Sequence, residues 1–323
     1  MSLAAFRLSA RRLIPIVVRN GIPQDDDSAG CHPAPQNYSP DELTRRLPRG
    51  LYTTFSTNHN GTRVLGLTAH LDRLYVPALD VNPSASRADL RLALAKLALD
   101  SAPGESRFRL LLSASDGTVI VIVQPFTPLA KEIYERGVKV VTADLVRHDP
   151  RLKDSGFITE SQSVRTRVGG DIFEVLLTRG GKIYEGMTSN FYAILSSVIA
   201  RDEAIFSRGS GLLRREEYPP RNDGVLSNDG ALVTARTGIL LGVTRRAVLR
   251  LARGQGMDIV YSAPRLDENF AEAFLTSSSR GVVPIISIDG REVGEGTVGV
   301  WTKRLINAYQ AYVEERSESL IGD

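Results

Sequence analysis

A change in hydrophobic periodicity near residue 101 constrains the fold of this chain more than any other feature. Between Ser86 and Ser101 the apolar residues follow helical spacing and predict an amphipathic helix. Beyond it, short apolar runs bounded by turn residues are typical of strands. On or near one broad face of the helix lie Leu90, Leu92, Leu94, Leu97 and Leu99. The predicted strands cover residues 108–113, 119–123 and 138–143. We therefore expect a mixed α/β arrangement in the first half of the chain.

The chain is expected to divide into a smaller first domain and a larger second one. Its 323 residues, of which 42% are hydrophobic, suffice for one large or two medium domains. The stretch Arg147-His148-Asp149-Pro150 interrupts the periodicity, so we divide the chain into 39–145 and 146–323. The second half is expected to contain helices over about 157–169, 242–253 and 298–316, and strands over 172–178, 183–194, 273–276 and 285–288.

The residues before the amphipathic helix carry local signals of their own. Ser39-Pro40-Asp41-Glu42 has the pattern of a capping box and predicts a helix start. The segments 51–57 and 62–67 alternate on either side of Asn58-His59-Asn60-Gly61, which predicts a β-hairpin. Residues 68–80 are expected to form a helix.

Two segments are interpreted as lying outside the core. Residues 1–38 are predicted to be an N-terminal extension, with a loop or disordered linker over 20–40. No acidic residue precedes Asp25, a composition that resembles a mitochondrial transit peptide over residues 1–24. The alternative is a basic extension that the protein keeps, in which case we expect a cytoplasmic protein. Residues 198–229 have little apolar pattern and are interpreted as a surface insertion.

Charge and composition argue against several function classes. The formal charge of +3 is nearly balanced and no long run of like charges occurs, so we expect no nucleic-acid partner. A single cysteine and four histidines without ligand spacing predict no metal site. No apolar run is long enough to span a bilayer, so we expect no membrane insertion.

One lysine and one glutamate stand out as candidate catalytic residues. Only six of the 40 cationic residues are lysine, and Lys153 follows a Pro-Arg-Leu bend before an apolar-periodic segment. Glu185 begins the run Glu-Gly-Met-Thr-Ser-Asn-Phe. A lysine can form a Schiff base with a cofactor aldehyde, and a carboxylate can keep a pyridine nitrogen protonated. Each alone has an ordinary alternative, because lysines are mostly solvated and a Glu-Gly pair is common in turns.

Three further features are suited to binding a phosphate. Thr244 follows Gly242-Val243 at a predicted helix start, where backbone N–H groups favour an anion. The hydroxyl-rich turn 276–281 can add donors, and Arg73 can supply a guanidinium. The alternatives are a simple threonine cap, a polar loop, and a surface salt bridge from Arg73 to Asp72 or Asp80.

The order of these motifs resembles the class IV, or fold type IV, pyridoxal phosphate-dependent aminotransferases. That family includes branched-chain aminotransferases, D-amino acid aminotransferases and aminodeoxychorismate lyase. The resemblance spans about residues 47–315. It implies an α+β fold of two domains, a smaller N-terminal α/β sandwich and a larger C-terminal pseudo-barrel. It also implies pyridoxal 5'-phosphate as cofactor, an amino acid and a 2-oxo acid as substrates, and a homodimer.

The resemblance also implies a role for each candidate residue. Lys153 forms the Schiff base and shuttles the proton, and Glu185 pairs with the pyridine nitrogen. The remaining roles are phosphate binding by Arg73, Val243, Thr244, Ser277 and Ser278, a wall behind the ring formed by Ser189 and Asn190, and substrate binding by Tyr52, Arg147 and Ser279.

Several departures from the family pattern leave the substrate open. Asp154-Ser155-Gly156 is unusually polar and flexible. Ala114 follows residues 110–113, where D-amino acid enzymes carry a substrate-binding arginine. Ser279-Arg280-Gly281 replaces the small-small-Glu pattern of several relatives. Our interpretation is an aminotransferase. The alternatives are a lyase of the aminodeoxychorismate type and a divergent, non-catalytic relative.

Overall fold

The computed structural model describes residues 3–26, 37–77, 80–195 and 230–320. The predicted insertion at 198–229 lies outside these residues. The helices among them are Pro40–Arg46, Leu67–Tyr75, Arg87–Leu99, Lys131–Arg136, Gly156–Glu160, Gln162–Arg165, Val243–Gly254 and Val300–Arg316. In the described ranges, no helix is sufficiently long and apolar to cross a membrane.

The first sheet is antiparallel and carries helices on both faces. Its strands, in spatial order, are Ile22–Asp25, Arg12–Arg19, Ala4–Ser9, Val119–Phe126, Glu105–Ser113 and Gly50–Ser56. Phe55 and Phe108 point from one face toward the helices Leu67–Tyr75 and Arg87–Leu99. The other face packs Leu111 and Ile122 near the helix Pro40–Arg46. The second face also borders the cavity described below.

The N-terminal residues form part of this sheet rather than an extension. Ala4–Ser9 pairs with Val119–Phe126, and Phe6 within it is 0% exposed. The turn between Arg12–Arg19 and Ile22–Asp25 is signalled by its sequence. Asn20-Gly21 joins two strands with positive φ at both residues (52° and 78°), as a two-residue hairpin turn requires. Removing residues 1–24 as a transit peptide would therefore remove two strands of the sheet and most of a third, Ile22–Asp25.

Phe6→Ala is expected to lower the free energy of unfolding by about 3–5 kcal/mol, because it empties a fully buried aromatic site. Chemical denaturation of the purified protein measures the change. Leu92→Ala is the matched control, since Leu92 is 58% exposed and its loss should stay within about 0.5 kcal/mol. Equal stability of Phe6→Ala and the parent would contradict the packing of this strand.

The leucines of the helix Arg87–Leu99 divide into a buried set and an exposed set. Leu90, Leu94 and Leu97 are buried as predicted, but Leu92 and Leu99 are 58% and 52% exposed. At 100° per residue, positions two apart lie on opposite sides of a helix, so Leu92 cannot share the face of Leu90 and Leu94.

The predicted capping box at Ser39 is present, with its hydroxyl accepting from the N–H of Glu42.

The predicted hairpin over 51–67 is wrong, because its two strands pair elsewhere. Gly50–Ser56 pairs along its length with Glu105–Ser113. Arg63–Leu65 pairs with Ser317–Ser319 near the end of the chain. Only an isolated bridge joins Asn58 to Arg63. Pairing with Glu105–Ser113 gives Gly50–Ser56 a ladder of hydrogen bonds along its whole length over a buried face, which a short local hairpin would not give.

The second sheet closes into a ring. Six strands follow one another around it: Lys182–Gly186, Ile172–Arg179, Val138–Asp144, Gly281–Ile288, Glu272–Ser277 and Asn190–Leu195. Pairing of Glu185 with Asn190 joins the last strand to the first. Ala231–Val233 and Asp258–Val260 extend the sheet from Asn190–Leu195, and Arg291–Glu292 pairs with Gly281–Ile288. This ring is the pseudo-barrel expected from the resemblance.

The ring includes Val138–Asp144, which we had assigned to the first domain. That strand lies parallel to Ile172–Arg179 and to Gly281–Ile288. Val119–Phe126 is the last strand in sequence that belongs to the first sheet. We propose that the boundary between the two domains lies between Phe126 and Val138. The predicted helix over 157–169 is two short helices, Gly156–Glu160 and Gln162–Arg165.

Candidate active site

A cavity of about 350 Å³ lies between the antiparallel sheet and the barrel. Every site residue predicted from the sequence borders it. From the first part of the chain these are Tyr52, Arg73, Arg147 and Lys153, and from the barrel and its loops Glu185, Ser189, Asn190, Val243, Thr244, Ser277, Ser278 and Ser279. Within the described residues, no three His, Cys, Asp or Glu side chains cluster as metal ligands. The tertiary structure therefore brings together residues that are spread over more than 200 positions.

Lys153 is held by the edge strand of the first sheet. The N–H of Tyr52 donates to the carbonyl oxygen of Lys153 at 2.8 Å, and the N–H of Ser155 donates to that of Gly50 at 2.9 Å. The lysine Nζ lies 4.9 Å from the centre of the Tyr52 ring. Asp154 accepts from Nε of Arg49 at 3.0 Å. The polar Asp154-Ser155 pair thus anchors the lysine loop to the sheet.

The surroundings of Lys153 favour its neutral amine. Burial lowers its pKa well below the ordinary value for lysine, and the cations Arg73, Arg147 and Arg109 lower it further. Glu185 acts in the opposite sense but more weakly. Both burial and nearby positive charge disfavour the ammonium form. A neutral amine can accept a proton or act as a nucleophile, which an ammonium cannot.

Glu185 is buried in contact with Arg147. Its Oε1 accepts from Nε of Arg147 at 3.0 Å, and its Oε2 accepts from the N–H of Leu240 at 2.9 Å. The two side chains are 3% and 6% exposed. Burial raises the pKa of Glu185 above its ordinary value, against the opposing effect of Arg147. The Arg147 guanidinium also lies 3.7 Å from the centre of the Phe157 ring. Arg147, predicted as a substrate residue, is therefore also the partner of Glu185.

The helix Val243–Gly254 points its N-terminus at the cavity. Its N-cap is Gly242, and no side chain caps its first turn, so Thr244 and its neighbours present backbone N–H groups there. A Cβ atom on Gly242 would lie 2.4 Å from Oδ1 of Asn190. The amide of Asn190 donates to the carbonyl oxygen of Leu240 at 2.7 Å. Asn190 thus positions the loop that leads into this helix.

Arg73 lies at the same end of the cavity. Its Nη2 donates to the carbonyl oxygen of Leu241 at 2.8 Å. Burial, together with Arg246, lowers the pKa of Arg73 to about 10, so the guanidinium stays protonated at neutral pH. The surface salt bridge considered above does not form, because Asp72 pairs with Arg87 instead. A fixed cation beside an uncapped helix N-terminus is suited to bind a phosphate dianion.

Arg280 was noted in the sequence only as a departure from the family pattern. Its Nη1 lies 2.8 Å from Oε2 of Glu174, and its Nη2 donates to the hydroxyl of Thr188 at 2.6 Å. Nε donates to the hydroxyl of Ser277 at 3.0 Å. Glu174 in turn accepts from the hydroxyl of Ser189 at 3.0 Å. Arg280 therefore joins the turn 277–281 to the turn 187–189, an arrangement that the spacing of these residues did not predict.

The comparisons with known proteins identify the family. Residues 50–288 match the family model described as amino-transferase class IV. The chain belongs to the class IV aminotransferases. The family match and the named relatives confirm the predicted enzyme class, a transferase, and the predicted cofactor, pyridoxal phosphate.

Individual relatives agree with this assignment. The chain is 27% identical over 282 residues to a branched-chain-amino-acid aminotransferase of Pseudomonas aeruginosa, covering 80% of this chain and 81% of the relative. It is 28% identical over 179 residues to a D-alanine aminotransferase of Bacillus licheniformis, covering 54% and 52%. Sequence similarity thus extends to relatives named for branched-chain amino acids and to relatives named for D-alanine.

Solved structures confirm the fold. The branched-chain amino acid aminotransferase of Escherichia coli matches with a TM-score of 0.60 at 19% identity and covers 82% of this chain and 85% of its own. A hypothetical aminotransferase from Mycobacterium tuberculosis, in its PLP-bound form, matches with a TM-score of 0.62 at 18% identity and covers 97% of this chain and 100% of its own. The class IV aminotransferase therefore has the two-domain α+β architecture that the sequence resemblance implied.

The residues around the cavity fit the family's cofactor. No carboxylate forms an ion pair with Arg73 in the part of the chain that the structure describes, and the neighbouring helix N-terminus has no side-chain cap. Nη1 of Arg147 is buried without a hydrogen-bond acceptor. A phosphate would accept from Arg73 and from the backbone N–H groups at this helix N-terminus. A pyridine ring would fit beside the Glu185 carboxylate.

Proposed function

We propose that this class IV aminotransferase transfers an amino group between an amino acid and a 2-oxo acid, with Lys153 as the catalytic residue. One observation carries the proposal. Lys153, Glu185 and Arg73 border a single cavity, with the lysine amine in surroundings that favour its neutral form. When bound there, pyridoxal phosphate supplies an electron sink that stabilises negative charge at the substrate Cα.

Each group of residues has a distinct part in this proposal. The phosphate is bound through a cation, an uncapped helix N-terminus and hydroxyl groups. These are supplied by Arg73, the N–H of Val243, Thr244, Ser277 and Ser278. Glu185, held in place by Arg147, keeps the pyridine nitrogen protonated. Ser189 and Asn190 form the wall behind the ring. Tyr52 and Ser279 border the substrate side.

Lys153 moves the proton. Its neutral Nζ accepts a proton from the substrate Cα and returns it to the carbon that receives the amino group. Its backbone anchor on Tyr52 fixes the position of the amine above the Tyr52 ring. General base catalysis of this kind contributes about 10²–10⁴-fold to a rate, provided that the base is in hydrogen-bond reach and in its neutral form.

Assembly and location are also part of the proposal. We propose a homodimer, as the resemblance implies. Because residues 4–25 contribute strands to the first sheet, we propose that the working protein retains them, which favours the cytoplasmic prediction over mitochondrial import with cleavage. Size-exclusion chromatography with light scattering tests the first statement, and N-terminal sequencing of the protein from its own cells tests the second.

The direct test of the function is a transfer assay with a panel of L- and D-amino acids and 2-oxo acids. Mass spectrometry measures the new amino acid and the new 2-oxo acid, which should form in equal amounts. Release of pyruvate without a new amino acid would replace the proposal with the lyase alternative. Neither product, together with no visible absorption band on addition of pyridoxal phosphate, would indicate a non-catalytic relative.

Arg73→Gln is expected to weaken the binding of pyridoxal phosphate by about 10–100-fold, because a charge-assisted contact to the phosphate is lost. Titration followed by absorbance measures the dissociation constant. Unphosphorylated pyridoxal should bind both proteins equally. Arg87→Gln serves as the control, since Arg87 pairs with Asp72, which precedes Arg73 in the helix Leu67–Tyr75. Equal weakening for pyridoxal and its phosphate would contradict the assignment of Arg73.

A further inference from the structure

The helix that carries Arg73 begins without a cap of its own. Leu67–Tyr75 has Gly66 at its N-cap, and no acidic residue lies in its first turn. The first N–H groups of a helix need acceptors, and the helix dipole favours a negative charge beside them. Glu318, 250 positions further along the chain, supplies both. Its Oε1 accepts from the N–H of Thr68 at 3.0 Å, and its Oε2 accepts from the Thr68 hydroxyl at 2.5 Å.

Glu318 lies on the strand that follows the last long helix. This strand, Ser317–Ser319, pairs antiparallel with Arg63–Leu65, the segment just before the helix that it caps. Leu320, the next residue, is buried in the core of the first domain. Nη2 of Arg91 lies 3.2 Å from Oε2 of Glu318. The backbone on both sides and one cation therefore fix the position of the Glu318 carboxylate.

The last long helix also packs against the other half of the phosphate site. Val300–Arg316 shares a buried cluster with Val243–Gly254, the helix whose N-terminus points at the cavity. A Cβ atom on Gly66 would lie 2.6 Å from Cγ1 of Val243, so the N-termini of the two helices beside the phosphate position are in close contact. One continuous segment thus connects the helix that offers backbone N–H groups to the helix that carries Arg73.

The placement of the helix Leu67–Tyr75 decides where the Arg73 guanidinium lies. The helix has nine residues, and Thr68 is in its first turn, so a shift of that turn moves Arg73 with it. Nη2 of Arg73 is already bound to the carbonyl oxygen of Leu241 at 2.8 Å, which limits its freedom to compensate. Charge-assisted hydrogen bonds to a phosphate need donor–acceptor distances of about 2.7–2.9 Å.

We propose that Glu318 is a positioning residue for the phosphate site. By capping the helix Leu67–Tyr75, it holds Arg73 at the distance from the helix Val243–Gly254 that a bound phosphate requires. Glu318 lies outside the lining of the cavity and acts only through Arg73. This inference rests on the phosphate-binding role given to Arg73 in the proposed function, and it adds a residue that the cofactor does not touch.

The test compares ligands with and without a phosphate. The full-length protein, freed of cofactor, is titrated with pyridoxal phosphate and with pyridoxal, and absorbance measures the two dissociation constants. Glu318→Ala should weaken the binding of pyridoxal phosphate by about 3–10-fold, as expected for the loss of a cap and a charge at a helix N-terminus. Pyridoxal binding should change by less than about twofold. Glu318→Gln keeps one acceptor oxygen and should recover part of the loss.

A double variant separates positioning from a general loss of structure. When Arg73→Gln is already present, Glu318→Ala should weaken the binding of pyridoxal phosphate no further, because the residue that it positions is gone. A full further loss in the double variant, an equal loss for both ligands in Glu318→Ala, or no loss for either would overturn the inference.

The same titrations distinguish this inference from the proposed function. A phosphate-specific loss in Arg73→Gln beside no effect of Glu318→Ala would overturn the role of Glu318 and leave the proposed function in place. Equal weakening of both ligands by Arg73→Gln would contradict the phosphate site itself.

Two control variants lie close to Glu318. Glu314→Ala removes a carboxylate at the same joint, where its Oε2 lies 2.7 Å from Nε2 of His59. Ser86→Ala removes the cap of the neighbouring helix Arg87–Leu99 and should lower the denaturation midpoint about as much as Glu318→Ala does. Neither should change the ratio of the two dissociation constants. A changed ratio in Ser86→Ala would show that any lost cap disturbs the phosphate site, which would overturn a specific role for Glu318.

Discussion

Lys153→Ala is expected to lower the rate of amino transfer by on the order of 10⁴-fold or more, because it removes both the nucleophile and the proton carrier. The variant should also lose the visible absorption band that the parent protein shows with pyridoxal phosphate. Single-turnover transfer and absorbance spectra measure the two effects. Lys139→Ala is the control, since Lys139 pairs with Asp171 outside the cavity and its loss should change neither. A Lys153→Ala variant with parental activity would exclude the proposed mechanism.

The lowered pKa of Lys153 leads to a pH dependence with a definite sign. In the cofactor-free protein the folded pKa lies well below that of the unfolded chain. Between the two values the unfolded state binds more protons, so this residue makes stability rise with pH across that window. Lys153→Met should remove this contribution and should not lower the melting temperature at neutral pH. Thermal unfolding at several pH values measures both. A steeper pH dependence in the variant would contradict the direction of the shift.

Glu185→Gln is expected to lower kcat by about 10²–10³-fold while changing the affinity for pyridoxal phosphate much less. The carboxylate stabilises a protonated pyridine nitrogen, which matters most when negative charge develops on the substrate. Removal of one partner from a buried ion pair also lowers the free energy of unfolding by about 3–5 kcal/mol, because Arg147 is left without a counter-charge. Steady-state kinetics, cofactor titration and chemical denaturation measure the three quantities.

Two further variants separate rate from stability. Adding Arg147→Met to Glu185→Gln removes the unpaired cation, so stability should recover while kcat stays low. Glu272→Gln is the control for loss of a partly buried carboxylate, since Glu272 accepts from the N–H groups of Trp301 and Thr302 at the start of the last long helix. It should lower stability and leave kcat unchanged. Recovery of kcat in the double variant would show that Glu185 acts only through folding.

The sequence was most informative where function depends on local order. Lys153 and Glu185 each had an ordinary alternative, but their order with Arg73, Thr244 and the turn 276–281 pointed to one family. The structure then placed all the named site residues around one cavity. The capping box at Ser39 was predictable for the same reason, since donor and acceptor lie within three residues.

Contacts between distant residues were not predictable in this way. Residues 1–38 were interpreted as an extension on their composition, whereas residues 4–25 form three strands of the first sheet. The hairpin over 51–67 failed because Gly50–Ser56 has a better partner more than fifty residues away. Propensity and spacing describe what a segment can form, whereas the choice among partners depends on the buried face that each one completes.

The sequence by itself therefore determined the chemical groups, the family and the order of the elements. Only the tertiary structure decided which groups neutralise one another: Arg147 with Glu185, Arg109 with Asp41, and Arg280 with Glu174. Charge pairing depends on distance and burial, and neither is encoded by spacing along the chain when the partners are far apart in sequence.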